Sequence, residues 1–159
     1  MRIIHLSDIH FKDTIEEGKI WESFIEDLKK LNLNKDKDII FITGDLIDKG
    51  GFEFDSLGQA FEVFKEKRIN ILLNKLKMEK RNIFFCPGNH DVDRRRDNKY
   101  VELGLQSNLI NQDNINEFAK NTKLKFDEGL FKIESYKSFE REFYSGVEGC
   151  YITNYNSSY

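Results

Sequence analysis

The chain has 159 residues, 39% hydrophobic, 33% charged and 13% aromatic, which is the make-up of one ordinary globular domain and excludes a disordered tail. A formal net charge of −3 argues against a surface given wholly to gripping nucleic acid, leaving room only for local basic patches. Cys86 and Cys150 are the two cysteines and form no CxxC pair, so no disulfide framework or thiolate zinc site is indicated and a reducing cytoplasm is the expected location.

The opening MRIIHLSDIH reaches Ser7-Asp8 after a few apolar residues. That is far short of a signal-peptide core or the ~20 apolar residues of a membrane span, and it reads as a strand. Apolar runs at Ile3–Leu6, Ile39–Thr43 and Ile83–Cys86 have the length of buried strands, and none alternates cleanly, which predicts cover on both faces. Between the first two, Ile20, Phe24, Leu28 and Leu31 share one face at helical spacing, predicting an amphipathic helix over Lys19–Leu33. Between the second and third, Ser56 and Gln59 form a capping box ahead of Leu57, Phe61, Phe64 and Ile71, predicting a helix that runs to about Lys80. Strand, helix, strand, helix, strand predicts an α/β fold with right-handed crossovers and a mainly parallel sheet flanked by helices. Past Asp91 the chain becomes Arg-, Asn- and Lys-rich, and residues 92–148 read as a helical insertion. Within it, Tyr136, Phe139 and Phe143 mark a short helix, and Cys150–Tyr155 reads as a fourth strand.

Three polar clusters each follow one of the strands: Ser7-Asp8-Ile9-His10, Thr43-Gly44-Asp45 and Pro87-Gly88-Asn89-His90-Asp91. In a parallel sheet they converge at the carboxyl ends of the strands, where open α/β sheets bind ligands. Carboxylate and imidazole together suit Mn, Fe, Zn and similar ions, and Gly44 and Gly88 let the backbone approach closely beside them. Each cluster alone is weak, because Gly-Asp is common in turns; the ordered set after three successive strands predicts a metal site.

Asp8, His10, Gly44, Asp45, Gly88, Asn89, His90 and Asp91 match, without substitution, the first three motifs of the calcineurin-like metallophosphoesterase superfamily, which this chain therefore resembles. The resemblance implies the amino-terminal portion of a four-layer αββα sandwich, with residues 1–159 a single, truncated domain. It implies two divalent ions, with Mn the first choice and Fe, Zn, Ni or Co as alternatives. Asp8 and His10 would hold one ion, Asp45 would bridge both and Asn89 would hold the second. A metal-bridging hydroxide would hydrolyse a phosphomonoester or phosphodiester. Asn89 and His90 would contact the substrate, with His90 aiding the leaving oxygen and Asp91 orienting His90.

The family adds histidines from two later motifs, whereas this chain has only His5, His10 and His90, so the second ion's site is expected to be incomplete. A competing reading is a non-catalytic, degenerate module that binds a protein partner. The expected partners are a phosphate ester, a nucleotide among them, and either a carboxy-terminal half or a second copy covering an exposed sheet face. Nucleic acid stays open and no membrane is expected. His5 reads as a hydrogen-bonded strand residue, Asp48 and Arg94–Arg96 as turn and solvated loop, and Cys86 as a buried thiol. Trp21, Phe24, Phe61, Phe64, Phe84 and Phe85 read as core.

Overall fold

The computed structural model describes residues 1–96, 99–124 and 132–148. Its sheet has three parallel strands, β1 (Ile3–Ser7), β2 (Ile39–Thr43) and β3 (Ile83–Cys86), in the order β1-β2-β3. Ile3 lies opposite Ile39, and Phe41 opposite Phe84. All three strands therefore end along one edge, and the polar clusters leave from it together.

The first crossover is α1 (Ile15–Lys29), started by Thr14, whose hydroxyl accepts the Glu17 N–H at 3.3 Å. The second is a continuous helical rod: α2 (Leu57–Phe64), a π-helical turn (Lys65–Ile69) and α3 (Asn70–Leu76), ended by Lys77 in the left-handed conformation. Ser56 caps α2 by accepting the Gln59 N–H at 3.1 Å, as its spacing predicts. The rod stops at Leu76, four residues before the expected end, where Lys77 turns the chain toward β3. Two further helices, α4 (Lys99–Asn108) and α5 (Gln112–Leu124), lie in the stretch read as helical. Last, α6 (Glu134–Phe143) places Tyr136, Phe139 and Phe143 in the core at the expected spacing.

The core lies between one sheet face and the helices. Ile40, Ile42, Ile83 and Phe85 point into it and meet Leu57, Phe61, Phe64 and Leu72 from the rod. Phe139 stacks on Phe61 at 5.0 Å and meets Phe85 edge-on at 5.1 Å. Each such fully buried side chain contributes about 1.5–3 kcal/mol.

Four expectations need correction. Among the described residues the strands are covered on one face: β1 and β2 alternate between more and less buried residues, and Ile3, His5, Phe41 and Phe84 lie on the other side, with Ile3 54% exposed. Phe84 is thus half-buried rather than core, and Cys86, at the exposed end of β3, is accessible rather than a buried thiol. Finally, α1 begins four residues earlier and buries Trp21, Ile25 and Leu28, leaving Ile20 68% exposed. The stripes from Ile20 and from Trp21 both satisfy helical spacing, and the larger indole takes the interior. The strand expected at Cys150–Tyr155 lies outside the described residues.

Candidate metal centre

Three loops build the site, and backbone hydrogen bonds tie each to the next. The His10 N–H donates to the Asp45 carbonyl at 2.8 Å and the Phe11 N–H to the Leu46 carbonyl at 2.9 Å, extending the β1–β2 pairing past the strand ends. The Gly44 N–H donates to the Cys86 carbonyl at 2.9 Å, and the His90 N–H to Asp45 Oδ1, also at 2.9 Å. Asp8, His10 and Asp45 take φ of 54°, 48° and 39°. This left-handed region costs a non-glycine residue about 1–2 kcal/mol, and Asp and His tolerate it better than most. Such strain persists only where the surroundings over-determine it, as they do at a functional site.

Gly88 shows how tightly the loops meet. A β-carbon there would lie 2.2 Å from both the backbone N and the Oδ1 of Asp45, so only glycine fits beneath that carboxylate.

His10, Asp45 and His90 each offer a ligand atom, and these atoms lie within 4.8 Å of one another. That is close to the span of two metal–ligand bonds of about 2.1 Å, so His10 and Asp45 could hold one divalent ion with His90 beside it, and imidazole with carboxylate suits a transition metal. His10 Nε2 is 3.7 Å from Asp45 Oδ2, and the His10 and His90 rings meet edge-on with centroids 4.9 Å apart. On its other side, His10 Nδ1 is 3.4 Å from Asp48 Oδ1, while Asp48 Oδ2 is 3.4 Å from Lys12 Nζ. A carboxylate behind the ring's far nitrogen aims Nε2 at the site. Asp48, three residues after Asp45, is compatible from sequence with turn chemistry or with support of a metal site, and the structure sets its carboxylate against His10 Nδ1.

Of the remaining expected residues, Asp8 is exposed and outside the trio, with Oδ1 beside Gly44, and Asn89 is exposed on the His90 loop. The Asp91 carboxylate, expected to orient His90, meets backbone rather than the imidazole. Fully buried, it accepts three backbone N–H groups: Oδ2 from Leu46 at 3.0 Å and Gly88 at 2.8 Å, and Oδ1 from Ile47 at 2.9 Å. It staples the second loop to the third, and burial pushes its pKa above the ordinary carboxylate value, against the pull of those three bonds. His90 Nδ1 instead accepts the Lys49 N–H at 3.0 Å. His5, as expected, is a hydrogen-bonded strand residue, with Nε2 2.7 Å from Thr43 Oγ1 on the open face.

A family model described as calcineurin-like phosphoesterase matches residues 1–154. The chain is also 30% identical over 98 residues to a protein of Bacillus subtilis (strain 168) named "Uncharacterized metallophosphoesterase-like protein YydB". That alignment covers 59% of this chain but only 18% of the relative's length. No solved structure matches. With the loop-borne histidines and aspartate converging at the strand ends, a match across nearly the whole chain places it in the calcineurin-like phosphoesterase family.

Proposed function

We propose that the chain forms the amino-terminal part of a metal-dependent phosphoesterase site that hydrolyses a phosphomonoester or phosphodiester. The observation that carries this reading is the convergence of His10, Asp45 and His90 from three separate loops. His10 and Asp45 would hold the first ion with Asp8, and Asn89 would reach a second, Mn or a related divalent metal. Such ions, when bound, activate water and neutralise charge on the phosphate oxygens.

The chain's own contribution to the leaving group rests on His90. Because its Nδ1 accepts the Lys49 N–H, the neutral ring carries its proton on Nε2, and that atom would donate to the departing oxygen. Asp91 acts by holding Gly88 and the Leu46–Ile47 backbone, so that Asp45 and His90 keep their relative positions. No helix among the described residues is long and apolar enough to cross a membrane, and the cysteine usage fits a cytoplasmic setting.

Metal content of the purified chain, with hydrolysis of bis-p-nitrophenyl phosphate in added manganese, tests the reading. Bound metal with turnover, both lost in Asp45→Ala, is the expected outcome. Metal binding without turnover in a chain extended past Tyr159 to include any further histidine motif would favour the non-catalytic module.

A further inference from the structure

Arg68 is only 5% exposed, at the π-helical turn of the rod, and its Nη2 has no hydrogen-bond partner among the described residues. Trp21 Nε1, beside it, is also unpartnered. The guanidinium lies over the Phe11 ring at 4.7 Å and over the Trp21 ring at 5.8 Å, with Glu17 Oε2 3.9 Å from Nη2. Stability alone does not explain this arrangement. A buried cation with a donor left open costs desolvation that an apolar side chain of similar volume avoids, and burial pulls the Arg68 pKa below its ordinary value.

What the arrangement touches is the segment carrying His10. Phe11, the next residue, is held beneath Arg68 and packs against Phe64 at 5.6 Å. Lys12, the one after, donates its backbone N–H to Glu17 Oε2 at 2.8 Å. Single-turn π insertions in helices are frequent at functional sites, and here the insertion accompanies a cation turned inward toward the loop. The hydrogen bonds to Asp45 and Leu46 fix the His10 segment to the β2 loop, and Arg68 and Glu17 hold the next two residues, Phe11 and Lys12.

We propose that Arg68, acting through Phe11 and the Glu17 carboxylate, is a positioning residue that holds the left-handed His10 backbone and so aims its imidazole at the metal site. This deepens the metal-site reading and rests on it. The test compares wild type with Arg68→Met, Arg68→Lys and Glu17→Gln as full chains, using thermal melts, imidazole ¹H–¹⁵N spectra of the metal-free chain, and Zn²⁺ titration.

The expected result is that Arg68→Met melts no lower than wild type, broadens or splits the His10 imidazole signals, and weakens Zn²⁺ binding about tenfold. Arg68→Lys, which keeps the cation, should recover part of both. A variant that melts lower while its His10 signals and zinc affinity match wild type would make Arg68 a purely structural pin and overturn the proposal. If Arg68→Met fails to fold, unchanged His10 signals in both Arg68→Lys and Glu17→Gln would overturn it equally. Wild type that ignores Zn²⁺ would defeat the metal reading, while the metal-free imidazole spectra would still decide the positioning role.

Discussion

Gly88 carries more of the site than any charged residue beside it suggests, because the Asp45 carboxylate occupies the space a β-carbon would need. Gly88→Ala should therefore displace Asp45, abolish metal uptake by titration calorimetry and cost about 2 kcal/mol of stability. Retained metal binding would show that the loop can yield. At this scale the convergence of three loops at the strand ends was legible, since His10, Asp45 and His90 come together there, whereas Asp8, expected as a ligand, lies outside that trio. The sequence was illegible where a partner is chosen by loop geometry. Nothing in the string Gly88-Asn89-His90-Asp91 says that Asp91 spends both oxygens on three amides while His90 finds the Lys49 N–H. Adjacent residues on a tight loop point in different directions, so adjacency was a poor guide to contact.

Among the elements, the start of the sheet depends on a single buried carboxylate. Asp38 accepts the Arg2 N–H at 2.7 Å, the Arg2 guanidinium through Nε and Nη2, and the Asn34 N–H at 2.9 Å, fastening β1 to the loop that enters β2. The Arg2 guanidinium, then the Asn34 N–H, hold its pKa well below the usual carboxylate range. A depressed folded-state pKa stabilises above the unfolded value and loses that contribution as pH falls. Wild type should thus lose stability faster than Asp38→Asn below about pH 4, measured by urea melts across pH. Parallel slopes would show that Asp38 contributes nothing there. The helices were readable to different depths: the Ser56 cap fixed the start of α2, whereas α1 offered two apolar stripes one residue apart, and the tertiary contact with Arg68 goes to Trp21. Continuous apolar strands announced that both sheet faces are fit for burial, but a sequence cannot say whether the cover comes from the same stretch of chain.

For the whole molecule, the sheet face turned away from the core bears on association. Phe41 and Phe84 pair their rings at 5.3 Å there, beside the exposed Ile3. A half-buried aromatic pair beside an exposed isoleucine favours association with a surface that can cover it. We propose that the isolated chain self-associates through this face. Sedimentation velocity should show oligomers that Phe84→Ser shifts toward monomer with unchanged circular dichroism, and a wild-type monomer at every concentration would overturn the idea. The staple formed by Asp91 has a temporal meaning as well. The Leu46 and Ile47 amides wait for an acceptor that is synthesised 45 and 44 residues later. Until Asp91 is made, a nascent chain that already carries Asp8, His10 and Asp45 lacks the carboxylate that ties its second loop to its third.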